Sequence, residues 1–204
     1  MPKQALIRKE VPVFLLLLLI GYIISLLLFL ILKPAPFTNI LGFISLLLYT
    51  VTLLPSILKT VFPVTKKNKI LRWLFNNRRY LGVAAFSFGL SHGVLLILER
   101  NLSLLDLQTY IKHFHGISTL FIFTILAVTS NDWSVKTLKS NWKKLHNSTY
   151  LLMFLLTWHI LASVAKQWSY LTPFGVLIII TTIILFMKRK WTEQIGLKRK
   201  QKIS

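Results

Sequence analysis

Two histidines lie deep inside apolar stretches of the sequence, where an ionisable side chain is costly and is by default a functional hypothesis. His92 comes 12 residues after Tyr80, and His159 comes 13 residues after His146. Helices that rise about 1.5 Å per residue would place the two imidazoles at similar depths, roughly 18 and 20 Å from one membrane surface. Neutral imidazoles on two helices can bind the iron of one b-type heme from either side. The pair therefore predicts a heme-iron site at His92 and His159.

Small residues surround the first of these histidines. Gly89 and Gly93 form a small-xxx-small pair around His92, which would let a neighbouring helix or a macrocycle approach the backbone closely. The alternative interpretation is a helix-packing motif in which His92 only makes a hydrogen bond across an interface. The residues leave both interpretations open.

The other three histidines lie near the ends of apolar stretches. His146 follows two lysines, where it is either solvated among headgroups or a further cofactor ligand. Thirteen residues place His146 about 140° away from His159 around an ideal helix, so the two would not share one face. His113 and His115 could gather a metal ion or a proton at the outer mouth of a helix. Their two-residue spacing does not align them, however, and loop histidines are usually solvated.

Six apolar stretches must position these residues, and each meets or approaches the roughly 20 residues that a helix needs to cross a bilayer. They are residues 11–32, 40–58, 80–98, 114–130, 147–165 and 170–187. The first has 22 residues without a charge and no small-residue cleavage pattern after it. We interpret it as a retained helix rather than a secretory signal peptide. The sequence thus predicts an all-α membrane protein, a six-transmembrane-helix bundle.

Lysine and arginine are distributed unevenly between the two sets of loops. Of the 25 basic residues, 21 lie in the N-terminal segment, in 59–79, in 131–146 and in the C-terminal tail. Positive residues near helix ends are held in the cytoplasm, so an N-in/C-in topology is predicted. The expected organisation is a cytoplasmic N-terminus at 1–10, a six-helix transmembrane domain at 11–187 and a basic cytoplasmic tail at 188–204.

The composition excludes several classes of protein. Apolar residues make up 54% of the 204 residues, which is more than a soluble globule of this size can bury. The net charge of +20 comes in short runs between apolar stretches, which favours the lipid bilayer and its anionic headgroups over nucleic acid as a partner. The absence of cysteine excludes disulfides, thiolate catalysis and iron–sulfur clusters bound in the usual way.

Several short motifs around the histidines resemble one family. The run Arg78-Arg79-Tyr80-Leu81-Gly82 precedes His92, Thr129-Ser130 ends the fourth stretch, and a Trp-x-x-Leu-His-Asn-x-x-Tyr motif occupies 142–150. These motifs resemble the ferric reductase-like transmembrane domain family, and within it the heme-binding membrane subunits of methionine sulfoxide reductase systems.

The resemblance implies heme b bound by His92 and His159, and it makes His146 a candidate ligand of a second heme. One departure puts the second site in doubt. Arg78 stands 14 residues before His92, where the larger ferric reductases and NADPH oxidases of this family have a histidine. Those relatives also carry a flavin and nicotinamide domain after the last helix, and we expect none in the 17 residues that follow Met187.

The function implied by the resemblance is electron transfer across a membrane by a b-type cytochrome, as a heme-dependent oxidoreductase or electron-transfer subunit. The donor would be a cytoplasmic flavoprotein reductase with FMN or a quinol in the membrane. The outer acceptor would be ferric iron, oxygen or a periplasmic reductase, and the short loops fit a bacterial inner (plasma) membrane. Two alternatives stay open: a dedicated subunit that is inert without a soluble reductase, and a heme-free small transporter or structural membrane protein.

Overall fold

The computed structural model describes residues 36–103, 105–164 and 169–201, and all regular structure in these ranges is helical. The helices in chain order are α1 Phe37–Val61, a 3₁₀ helix Pro63–Lys67, α2 Lys69–Glu99, α3 Leu107–Lys112, α4 Phe114–Val128, α5 Asp132–Leu138, α6 Ser140–His146, α7 Ser148–Val164 and α8 Thr172–Gln201. The all-α fold class is confirmed. The predicted N-terminus at 1–10 and the predicted first span at 11–32 lie outside the described residues.

Three of the described helices are long and apolar enough to cross a membrane: α1, α2 and the part Thr172–Leu197 of α8. A fourth candidate is the pair α4 and α5, which meets the same test together but bends by 91° between its two helices. Helix α7 has 17 residues, so it is about 26 Å long against a hydrocarbon core of about 30 Å. These helices indicate a multi-pass integral membrane protein, and the count of six spans stays a prediction.

Most helix ends agree with the predicted stretches to within three residues, but α2 and α8 extend further. Helix α2 begins eleven residues before Tyr80. The side-chain oxygen of Asn68 accepts the main-chain N–H groups of Ile70 and Leu71 at 2.9 and 3.1 Å. This cap satisfies two donors of the first turn, so the helix forms through a basic segment that apolarity alone does not mark.

Helix α1 is central to the packing. It packs mainly against α2 and also against α8, while α4 packs against both α7 and α2. The largest fully buried apolar side chains of this core are Tyr49, Ile57, Leu152, Met153 and Ile179. Because α4 contacts both α2 and α7, the three helices that carry His92, His115 and His159 meet in one region.

Much of the apolar surface points outward. Among the described residues of α2, Ala85 is the one that is buried, and the apolar side chains of Val94 and Leu98 are 47% and 65% exposed. Lipid tails can surround such an apolar surface without a free-energy penalty, whereas its exposure to water would be unfavourable. Many hydroxyl groups of the described helices bond within their own helix: Thr157, for example, donates to the carbonyl of Met153 at 2.8 Å, which needs no water.

Candidate functional site

The site begins with two histidines on different helices. His92 lies on α2 and His159 on α7, and their ring centres are 6.2 Å apart with ring planes at 81°. The sequence separates them by 67 positions, so packing of the helices, and not a local motif, brings them together. Equal depth along two helices permits such a contact, and in the structure the two rings do contact each other.

A backbone carbonyl fixes the orientation of the first ring. The Nδ1 atom of His92 lies 2.7 Å from the carbonyl oxygen of Thr38, in the first turn of α1. A carbonyl can only accept, so Nδ1 carries the ring proton and Nε2 keeps a free lone pair. This is the state in which a neutral imidazole binds a metal, with its other nitrogen held by an outer partner.

The side chain of Thr38 strengthens the same contact. It is buried, at 1% exposure, and its hydroxyl donates to the carboxylate of Glu99 at the end of α2. Thr38 therefore attaches α1 to α2 through both the His92 ring and the Glu99 carboxylate. Both attachments come from a single residue of α1.

Two glycines allow neighbouring helices to press against the two rings. A Cβ atom on Gly42 of α1 would lie 3.1 to 3.2 Å from three atoms of the His92 ring. A Cβ atom on Gly116 of α4 would lie 3.3 Å from Nδ1 and Cε1 of His159. Any side chain at these positions would force the rings to move. Neither glycine was identified from the sequence.

The glycines that the sequence did single out have a packing role. A Cβ atom on Gly89 would lie 3.0 Å from Oγ of Ser45, whose hydroxyl donates to the carbonyl of Ala85 at 2.7 Å. A Cβ atom on Gly93 would meet Leu120 of α4 at an ordinary 3.5 Å. Gly89 thus permits the close approach of α1 to α2, and the requirement at Gly93 is weaker.

A third histidine joins the pair. The Nδ1 atom of His115, the second residue of α4, lies 2.9 Å from Nδ1 of His159, and their ring centres are 5.1 Å apart. His113 has a different hydrogen-bond partner: its Nδ1 lies 3.0 Å from the carbonyl oxygen of Thr109 in α3. His115 was considered only as part of a loop cluster. The sequence named His113 and His115 together as candidates for a metal ion or a proton, and of these two it is His115 that contacts His159.

His146 occupies a different environment. It ends α6, and its ring stacks on that of Trp142 with centres 4.0 Å apart and planes at 25°. Its Nε2 lies 3.2 Å from the hydroxyl of Thr129, whose carbonyl accepts the indole N–H of Trp142 at 2.9 Å. Within the described ranges, no second imidazole packs against this ring. The guanidinium of Arg78 instead lies over the ring of Phe75, 5.0 Å from its centre.

The first two histidines fit a shared metal centre. Two imidazoles bound to one metal from opposite sides have ring centres about 6 Å apart, because each metal–nitrogen bond is about 2 Å and each ring centre lies roughly 1 Å behind its nitrogen. The observed distance between His92 and His159 is 6.2 Å. With the proton of His92 fixed on Nδ1, the donor chemistry and the spacing fit two imidazoles that would hold one heme iron.

An ion pair holds the double-arginine segment. The guanidinium of Arg79 lies 2.5 Å from the carboxylate of Asp132 at the start of α5. The hydrogen bond and the charge of Arg79 hold the pKa of the exposed Asp132 carboxyl below its usual range. The pair joins α2 to the segment between α4 and α7, outside the apolar part of the helices.

The profile of the ferric reductase like transmembrane component family matches residues 41–157, more than half of the 204 residues. The chain belongs to this family. The match includes His92, His115 and His146 and ends two residues before His159, and it confirms the resemblance that the motifs predicted.

Three curated relatives carry the name protein-methionine-sulfoxide reductase heme-binding subunit MsrQ. The relative from Yersinia enterocolitica is 32% identical over 122 residues, which is 57% of this chain and 59% of that protein. The relative from Agrobacterium fabrum is 39% identical over 101 residues, 44% and 46% of the two chains. That from Brucella ovis is 31% identical over 137 residues, 65% and 58%. Each match covers less than two thirds of the relative.

Proposed function

We propose that this chain is a membrane-embedded b-type cytochrome in which His92 and His159 would hold the iron of one heme. The observation that carries the proposal is the imidazole pair with ring centres 6.2 Å apart, of which one ring has its proton fixed by Thr38. The name of the MsrQ relatives favours heme over another metal. When bound, heme supplies one-electron redox chemistry, and the protein sets its ligation and surroundings.

The chain's own residues would perform three tasks at this site. Thr38 holds the His92 ring in one tautomer, so that Nε2 is available to a metal without a proton having to leave. Gly42 and Gly116 let α1 and α4 close on the two rings, which limits their rotation. The lipid around the helices would limit the access of water, and a low dielectric would raise the effect of every nearby charge on the site.

The proposal includes a topology. Six spans within a transmembrane domain at 11–187 would place a short N-terminus at 1–10 and the basic tail at 188–204 in the cytoplasm, as the distribution of lysine and arginine favours. His92 and His159 would then lie in the outer half of the bilayer. Electrons would enter from a cytoplasmic flavoprotein reductase with FMN, or from a quinol, and leave on the outer side.

The proposal also includes the identity of the electron acceptor. The relatives are named as subunits of a methionine sulfoxide reductase, which supports a periplasmic reductase as the partner and a bacterial inner membrane as the location. Ferric iron is the second candidate, because the family is that of the ferric reductases. Rapid reduction of a ferric chelate by the isolated chain would favour iron, and copurification of a soluble reductase would favour the partner.

A second heme at His146 stays a prediction. Family resemblance supports it. In the structure, however, the His146 ring contacts Trp142 and Thr129, and the sequence has Arg78 where larger relatives have a histidine. A heme-to-chain ratio near two, falling to one in His146→Ala, would support the second site. A ratio near one in the unaltered protein would contradict it.

The first experiment is the dithionite-reduced minus oxidised visible spectrum of the protein purified in detergent after expression with ample heme. We expect a sharp α-band that is lost in His92→Ala and in His159→Ala. His113→Ala is the matched control, because His113 bonds within its own segment and should keep the band. An unaltered protein without heme would reject the cytochrome and leave the heme-free transporter or structural protein.

A further inference from the structure

We infer that His115 is a positioning residue for His159: its Nδ1 accepts the Nδ1–H of His159 and thereby leaves Nε2 of His159 available to the heme iron. The inference rests on the proposed function, because it assumes that His159 is a ligand. His115 lies on a third helix, α4, and outside the motifs that carry the family resemblance. The observation behind it is the 2.9 Å distance between the two Nδ1 atoms.

The protonation state of His159 follows from its role. A neutral imidazole that binds a metal through Nε2 carries its proton on Nδ1, and a buried N–H needs an acceptor. The atom 2.9 Å from this Nδ1 is Nδ1 of His115. His115 must then be neutral with its own proton on Nε2. The two ligands thus have different outer partners, a main-chain carbonyl for His92 and an imidazole for His159.

The fold holds His115 in place for this contact. Its ring contacts those of both His159 and Trp158, with ring centres 5.1 and 6.2 Å away. The next residue, Gly116, lets the α4 backbone approach the His159 ring. One turn later the buried Thr119 donates to the carbonyl of His115 at 2.6 Å. Backbone and ring are therefore both fixed beside His159.

An acceptor on the outer nitrogen has an electronic effect that packing alone does not have. It makes the ligand imidazole more electron-rich, which stabilises ferric over ferrous iron and lowers the midpoint potential. Removing the acceptor should raise the midpoint potential even where the ring volume is kept. A purely structural role for His115 would change the stability of the protein and leave the potential of the remaining heme unchanged.

The experiment measures heme affinity and midpoint potential in three variants of the full chain in detergent. His115→Phe keeps the ring and removes the acceptor, and we expect heme affinity to fall by roughly 10- to 100-fold with a midpoint potential shifted upward. His115→Gln keeps an acceptor oxygen and should restore most of both values. His113→Phe is the matched control and should behave as the unaltered protein. Should His115→Phe not fold, His115→Ala removes the acceptor without adding bulk and carries the same expectation.

The outcomes separate this inference from the proposed function. An unaltered protein that binds no heme overturns both. Heme that is lost in His159→Ala, while His115→Phe or His115→Ala keeps the affinity and potential of the unaltered protein, overturns only the role of His115. An upward shift in potential that the Gln variant reverses supports it.

Discussion

The Nδ1 atom of His92 lies 2.7 Å from the carbonyl oxygen of Thr38, so the first turn of α1 determines the orientation of a side chain on α2. A main-chain carbonyl cannot be removed by substitution, and its position depends on how closely α1 approaches. That approach is set by Gly42, one turn after Thr38, which lies directly against the His92 ring. Helix α1 carries no candidate ligand, so substitutions in α1 test whether this contact supports heme binding.

Substitution of Gly42 by alanine should weaken heme binding. The new Cβ would lie 3.1 Å from Nδ1 of His92, so the ring must shift by a few tenths of an ångström and its bond to Thr38 lengthens. We expect a fall in heme affinity of roughly 10-fold, at the lower end for loss of an outer partner, measured by heme titration. Gly82→Ala is the control, because its Cβ would meet no atom within 4 Å and it gains the same helix propensity. Equal affinities in the two variants would contradict the prediction.

Substitution of Thr38 by valine should destabilise the contact between α1 and α2. Valine keeps the shape of threonine and removes the hydroxyl that donates to Glu99, which we expect to cost about 1 kcal/mol. The measurement is thermal unfolding in detergent, with heme content recorded beside it. Thr60→Val in the same helix is the control, since that hydroxyl bonds only to its own helix, at Ser56. Thr38→Val would contradict the prediction if it unfolded at the same temperature as the control.

Depth along a helix was the part of the site that could be predicted from the sequence. Hydropathy gave the helical membrane fold, and counting residues from the helix starts gave His92 and His159 similar depths, because the rise per residue is nearly constant. Equal depth is necessary for contact and does not ensure it. The rotation of each helix about its axis decides which side chains meet, and that rotation is set by packing between helices.

The two features that were not predicted depend on that rotation: the approach of Gly42 to His92 and the contact of His115 with His159. Gly42 and His115 reach the site only because α1 and α4 turn particular faces toward α2 and α7, and no local pattern around either residue indicates this. The early start of α2 is a different case. Asn68 before a run of helix-forming residues is a recognisable cap. The predicted stretches rest on apolarity alone, and apolarity does not indicate a helical turn made of basic residues.

Substitution of Tyr150 by phenylalanine should destabilise the contact between α7 and α8. The hydroxyl of Tyr150 lies 2.7 Å from the guanidinium of Arg189, which also donates to Glu193 at 2.7 Å. Phenylalanine keeps the stacking on Phe186 and loses the bond to a charged donor. We expect a loss of about 1 kcal/mol, below the usual value because Arg189 is partly exposed. Chemical or thermal unfolding in detergent measures it.

The control for this substitution is a second tyrosine. Tyr80→Phe removes the hydroxyl of a residue that is 73% exposed, so water replaces whatever it contacts and stability should not change. A Tyr150→Phe variant as stable as Tyr80→Phe would show that the Arg189 cluster contributes nothing beyond solvated contacts.

The ion pair of Arg79 and Asp132 should make stability depend on pH in one direction. Arg79 lowers the pKa of Asp132 in the folded protein, so the folded state binds this proton less readily than the unfolded state. The stabilisation is then fully present above the unfolded pKa of about 3.9 and disappears as the pH falls through the lower folded value. We expect Asp132→Asn to lower the unfolding temperature slightly at pH 7 and to have no effect well below pH 4.

A double-mutant cycle assigns this effect to the pair. Asp132 is also in the first turn of α5, where a negative charge interacts favourably with the helix dipole, so the single variant loses two interactions. Combining Asp132→Asn with Arg79→Gln cancels the dipole contribution, and the remaining coupling should fall in 1 M salt, where the Debye length is about 3 Å. The side chains are 35% and 82% exposed, so screening should be nearly complete. A coupling that persists at high salt or at low pH would mean that Arg79 and Asp132 interact through packing and not through charge.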